Sequence, residues 1–226
     1  MQQKTAKEIL KKVVEDYDNI AQEFDTTRKY NWKEFEQYLP YIKENDQVLD
    51  IGCGNGRLYK FLSENKKIKY IGLEKSKKLL DAAKKNFNQA KFVHGDMLKL
   101  PFKEKSQDVI TSIASLHHIP SEKLRKKALT EMHKTLKENG ILILSVWNLF
   151  QPKYKKYIWQ SRIKSLLSLG KYDPRDTFIP WNNKAKRYYY AFTKNELEKL
   201  LTQANFQILD HHISNNFVYI CKKFSK

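Results

Sequence analysis

The segment Val48-Leu49-Asp50-Ile51-Gly52-Cys53-Gly54-Asn55-Gly56 carries a short apolar strand straight into three alternate glycines, and a helical pattern starts at Arg57. Glycines let a chain turn sharply and approach a ligand without a Cβ clash. The spacing is G-x-G-x-G, unlike the G-x-G-x-x-G of dinucleotide-binding loops. Outward from this unit, apolar runs alternate with helical patterns. Strands are predicted over 68–73, 91–94, 109–114 and 141–147, and helices over 76–86 and 122–137. Asn139-Gly140 is expected to close the last of these, with Gly140 as its left-handed cap. Such alternation predicts a parallel sheet with right-handed crossovers. It stops for about 45 residues after Trp147. It resumes with a helix over 193–204, opened by a Thr193/Glu196 capping box, and two strands, 206–213 and 216–222, antiparallel if they form a hairpin. Residues 5–41 read as helical ahead of the sheet.

The chain has 226 residues, enough for one domain. Its 41% hydrophobic and 13% aromatic content sustains a core and excludes a disordered chain. Two cysteines, Cys53 and Cys221, exclude a disulfide framework and a four-cysteine zinc site, and fit the reducing cytoplasm. No apolar run reaches the roughly 18 residues of a membrane span, and the polar start lacks a signal core. The net charge is +18. By segment it is −2 over 1–47, +10 over 48–150, +8 over 151–190 and +2 over 191–226. The stretch 151–190 is the densest and holds nine aromatic residues, Trp159 and Trp181 among them. Cations interleaved with rings suit a nucleic-acid surface. Lysines make up 37 of the 43 basic residues, though, and Lys-rich helix faces are often merely solvated.

Three carboxylates end the first strands. Asp50 precedes the glycine loop, where it repels a pyrophosphate and attracts an ammonium. Glu74 closes the second strand, where it can accept both ribose hydroxyls. Asp96, in His94-Gly95-Asp96-Met97, can accept from the exocyclic amine of adenine. Ammonium, ribose and adenine together describe S-adenosylmethionine. Cys53 sits between two glycines without an adjacent histidine, which favours packing over nucleophilic chemistry. His94 is expected to pack.

With the glycine loop, Glu74, Asp96 and the strand order in place, the chain resembles the class I S-adenosylmethionine-dependent methyltransferases. The resemblance implies a Rossmann-like α/β fold: a seven-stranded, mostly parallel sheet with its last strand antiparallel and helices on both faces. A single domain is expected over 1–226, with a helical cap at 1–47 and a basic, aromatic, substrate-binding insert at 151–190 after the fifth strand. A narrower resemblance rests on Ile113-Ala114 with Leu116-His117-His118, and on Ser145-Val146-Trp147. Tyr17-Asp18-Asn19-Ile20-Ala21 with Arg28, Pro180-Trp181, and Arg187-Tyr188-Tyr189 add to it. These pieces resemble the tRNA wobble-uridine carboxymethyl methyltransferases, which include the methyltransferase domain of the AlkB-homologue tRNA hydroxylase.

That resemblance implies methyl transfer to a carboxylate, giving a methyl ester. It implies cofactor contacts from Tyr17, Asp50, Gly52, Gly54, Glu74, Asp96, Met97 and Ile113. Arg28, His117 and Arg187 are the catalytic candidates, with His118, Trp181 and Tyr188 binding substrate. The partners implied are a tRNA anticodon loop and a small zinc-binding activator protein, with no membrane and no metal in the site. Plainer readings stand beside these. His118 suits a packing histidine, Arg187 an ion pair with Asp173 or Asp176, and Pro180-Trp181 a hydrophobic anchor. A small-molecule carboxyl or hydroxyl methyltransferase, with the insert as a lid, is the alternative function.

Overall fold

In the computed structural model of the chain, residues 1–28, 30 and 32–224 are described. Their strands are β1 (Gln47–Ile51), β2 (Lys69–Glu74), β3 (Lys91–His94), β4 (Gln107–Ile113), β5 (Leu136–Trp147), β6 (Asp176–Trp181), β7 (Ala185–Tyr190), β8 (Phe206–Ile213) and β9 (Asn216–Lys223). The α-helices are α1 (Gln3–Thr27), α2 (Arg57–Asn65), α3 (Lys77–Asn86), α4 (Glu122–Thr135), α5 (Lys155–Leu167) and α6 (Lys194–Gln203). Seven strands form one sheet in the order β3-β2-β1-β4-β5-β9-β8, while β6 and β7 make a separate hairpin. Only β9 runs antiparallel within the large sheet, against both β5 and β8. The order reverses between β1 and β4, a switch point that opens a crevice beyond the strands' carboxyl ends.

Strand alternation distributes the core. Leu49 and Ile51 face one side, with Leu129 of α4 and Leu197 of α6. Val48 and Val109 face the other, with Leu62 of α2 and Ala83 of α3. Helix starts follow local chemistry: Ser76 and Thr193 cap α3 and α6 by accepting from the backbone N–H three residues on.

Three expectations need correction. Helix α4 stops at Thr135, because Leu136 is drawn into the sheet opposite Gln107. The left-handed residue there is Asn139 (φ 61°) and not Gly140, where an added Cβ would lie 2.9 Å from the Lys137 carbonyl. The N-terminal region is not one helical stretch: α1 ends at Thr27 and a 3-10 turn spans Lys33–Tyr41. Positions 29 and 31 between them lie outside the described residues. The stretch 151–190 does hold regular structure, α5 and the β6–β7 hairpin. It packs around a small core of its own, Leu149, Ile158, Ile179, Tyr189 and Ala191.

Candidate active site

The carboxyl ends of β1, β2 and β4 open into one cleft, roofed by Tyr17, Phe24 and Arg28 of α1 and its exit. The glycine loop shapes its floor. Gly52, Gly54 and Gly56 hold φ of 75°, 57° and 82°, and a Cβ on Gly52 would come 2.3 Å from Ser115 Oγ. The N–H groups of Gly52 and Cys53 both donate to the Leu73 carbonyl. Cys53 is buried and burial pushes its thiol up, so it packs.

The three carboxylates are more engaged than their sequence positions suggest. Asp50 accepts from Tyr70 Oη (2.7 Å) and Thr111 Oγ1 (2.8 Å), and burial lifts its pKa to about 6. Glu74 accepts from the N–H groups of Gly54, Lys75 and Ser76, so it ties the loop together; burial raises its pKa too. Asp96 pairs with Lys75 Nζ (2.6 Å) and caps the Leu98 N–H. Each carboxylate oxygen has two lone pairs, so Asp96 retains capacity for an amine. Receiving a ribose diol at Glu74 requires release of an N–H. Met97, Ile113 and Tyr17 line the same cleft. His94, expected to pack, is instead exposed, its Nε2 3.0 Å from the Lys75 carbonyl.

At the acceptor end the tautomers follow from fixed partners. The Trp147 N–H donates to His117 Nδ1 (3.0 Å), so the proton sits on Nε2. That Nε2 is buried without a hydrogen-bond partner. Burial, then the neighbouring His118 and Arg187, hold His117 well below the usual histidine range. His117 is thus a neutral donor. His118 donates from Nδ1 to the Tyr188 carbonyl (2.7 Å) and accepts at Nε2 from Tyr17 Oη (2.7 Å). Burial lowers its pKa to about 3. Both its nitrogens are taken, so it fixes Tyr17 and offers the cleft only the flank of its ring.

Arg187, on β7, is buried and lies over the rings of Trp181 (4.4 Å) and Tyr189 (5.2 Å). No carboxylate pairs with it among the described residues. Asp176 accepts instead from Tyr188 Oη (2.7 Å), and Asp173 faces Arg175. This also corrects Tyr188. Neighbours on a strand face opposite ways, so Arg187 and Tyr189 line the cleft while Tyr188 sits in the core beneath. Tyr189, not singled out from sequence, has a buried hydroxyl whose nearest polar neighbour is the Tyr17 hydroxyl. Trp181 stands at the rim, with Arg28 5.0 Å from its ring. Arg57 was also missed; it lines the cleft, and burial, then the charge of Arg28, depresses its pKa to about 10. Its signal was a cation directly after the third glycine.

A family model described as a methyltransferase domain matches residues 49–144. A protein of Encephalitozoon cuniculi named as a methyltransferase is 32% identical over 86% of this chain and 87% of its own length. The chain belongs to the S-adenosylmethionine-dependent methyltransferase family. Two further relatives of this methyltransferase are named tRNA (carboxymethyluridine(34)-5-O)-methyltransferase. The Schizosaccharomyces pombe protein is 28% identical over 86% of this chain and 88% of its own. The Xenopus tropicalis protein is 29% identical over 92% of this chain but only 40% of its own. Among solved structures, a methyltransferase of Methanosarcina mazei shares the fold at a TM-score of 0.73 and 20% identity, covering 87% of this chain and 99% of that one. A Haloferax volcanii methyltransferase, solved with the Trm112 methyltransferase activator, shares it at 0.70 and 16% identity, covering 95% and 98%. The residues present fit the cofactor: the glycine floor would be filled by a Cβ, and carboxylates end β1 and β2 and follow β3.

Proposed function

We propose that this methyltransferase esterifies the carboxylate of a carboxymethyl-type uridine at the wobble position of tRNA. S-adenosylmethionine, when bound, supplies an electrophilic methyl group. What remains for the protein is to hold one carboxylate oxygen in line and keep water out. A carboxylate with a pKa of about 4 is already anionic at neutral pH and needs no base.

The observation that carries this reading is the absence of a free basic lone pair on either buried histidine. His117 Nδ1 is occupied by the Trp147 N–H and its Nε2 bears the proton. His118 Nε2 is occupied by Tyr17. A hydroxyl or amine acceptor needing deprotonation finds no base in this pair. An anion finds donors: His117 Nε2–H, Arg187, which has no carboxylate partner among the described residues and whose Nε is unsatisfied, and the Tyr17–Tyr189 hydroxyl pair beside it, grouped around the Tyr189 ring. His117 lies 5.0 Å from that ring and Arg187 5.2 Å. Arg28 stands at the rim. The names of the S. pombe and Xenopus relatives support a tRNA acceptor, as does the +8 charge of 151–190. A cytoplasmic setting belongs to the same reading. So does an activator subunit, which the Haloferax neighbour's complex supports.

The test is incubation with labelled cofactor and bulk tRNA, followed by digestion to nucleosides. Label released by mild alkali is expected. Alkali-stable label overturns the ester, and label confined to small molecules overturns the tRNA.

A further inference from the structure

Helix α5 has two apolar faces and packs only one. Ile158 is buried with Ile179 and Tyr189, and Ser161 Oγ meets Thr177 Oγ1 at 3.2 Å. On the opposite side Trp159, Ile163, Leu166 and Leu167 face solvent, continued by Leu169 in the next turn. Trp159 is 66% exposed, Leu166 81%, Leu167 77% and Leu169 92%. Five of the ten exposed large hydrophobic side chains of the described residues fall within 159–169. Scattered apolar side chains are ordinary on a surface; a cluster on one helix marks an interaction site.

The pattern identifies the occupant's chemistry. Positions 159, 163 and 166 are spaced four and three apart, the seam one helix offers to another. A shallow groove beside the seam, lined by Gln160, Ile163, Lys164, Leu167 and Ser168, accepts a side chain from outside. Residues 153–172 contain six Lys or Arg and no Asp or Glu. A second copy of this chain would bring like charges together. Four of the five exposed side chains, Ile163, Leu166, Leu167 and Leu169, are aliphatic and offer RNA bases no stacking surface; Trp159 alone does.

We propose that the outer face of α5 docks an amphipathic helix of a separate protein, with an apolar seam flanked by acidic residues. The proposal does not depend on the identity of the methyl acceptor. Its consequence reaches the active site. The inner face of α5 supports the hairpin that carries Arg187 and Tyr189, and the core between them is small. A helix docked outside would stiffen the acceptor end from behind.

The experiment uses the full chain and two labelled synthetic helices with the same leucine seam, one Glu-flanked and one Lys-flanked, read by fluorescence anisotropy. The Glu-flanked helix is expected to bind and the Lys-flanked one not. Ile163→Asp with Leu166→Asp should weaken binding by roughly tenfold or more, the loss expected for hot-spot truncations. Cofactor affinity, measured on the same variant, should be unchanged and so report an intact fold. The proposal is overturned if the Glu-flanked helix fails to bind, or binds the variant equally. It is also overturned if the double substitution instead dissociates a dimer of this chain, releases it from phosphatidylcholine/phosphatidylserine vesicles, or weakens tRNA binding to a similar extent.

Discussion

At the residue scale the buried histidines divide one task. His118 spends both nitrogens holding Tyr17 to the Tyr188 carbonyl, while His117 spends one on Trp147 and keeps a proton to offer. His117→Ala should therefore lower turnover by about 10–100-fold, since a hydrogen bond to a charged group contributes about 1.5–3 kcal/mol. Cofactor affinity should stay nearly constant. Equal losses in turnover and cofactor affinity would move His117 to the donor side. Because His117 titrates well below the usual range, the rate should not rise through about pH 6.5. A rise there would mark it as a base. Asp50 gives a second pH signature. Its pKa, raised by burial to about 6, means the free protein holds that proton longer than an exposed carboxylate does. An ammonium binds the ionised form, so cofactor affinity should strengthen as pH rises towards 6 and level off above it. Below about pH 6 the loss should approach tenfold per pH unit. Calorimetry across that range checks this, and a flat affinity would remove Asp50 as the ammonium's counter-charge.

At the element scale the glycine loop is the most constrained piece. Gly52→Ala demands a positive φ from an L-residue and drives its Cβ into Ser115. A loss of about 2–4 kcal/mol is expected from urea unfolding, strain and clash together; a loss near zero would show that the loop relaxes. This loop was legible in the sequence because every determinant is local: strand, glycines, helix start. The same holds for β3, and for α6 with its Thr193 cap. What was not legible depended on register or on distant partners. Tyr188 and Tyr189 differ only in strand parity, and a one-residue slip exchanges core for cleft. The role of His118 is set by Tyr17, about a hundred residues earlier in the chain. The tautomer of His117 is set by an N–H on β5. The β6–β7 hairpin was hidden because charges and rings interleave at 185–190, and because proline is uncommon inside strands, although an edge strand tolerates Pro180.

At the scale of the whole molecule α1 joins the two halves of the site. On the donor side Asp18 accepts from Ser76 Oγ (2.6 Å) and the Lys78 N–H (3.2 Å), and Asp25 from Asn55 (2.9 Å) and Asn86 (2.8 Å). On the acceptor side Tyr17 meets His118, and Glu23 pairs with Lys184 (3.2 Å) in the β6–β7 turn. A helix fastened on both sides along its C-terminal half cannot settle on the cofactor without also settling the hairpin. Cofactor and tRNA should therefore bind cooperatively. Couplings of this kind are typically about 1–3 kcal/mol, or about 5–150-fold, and are reciprocal. Measured with S-adenosylhomocysteine, which permits no turnover, tRNA affinity should rise by at least about fivefold, and the ligand's affinity should rise by the same factor when tRNA is present. If the basic insert receives tRNA as proposed, that affinity should itself fall steeply with salt, so both arms need one ionic strength. Asp18→Ala with Glu23→Ala removes one fastening on each side and leaves Arg187, His117 and the glycine loop untouched. In that variant the coupling factor should fall towards one, while each ligand alone still binds. A coupling that survives the double substitution would place the connection elsewhere, through Trp147 and Tyr189, whose rings stack at 5.0 Å on the other side of the cleft.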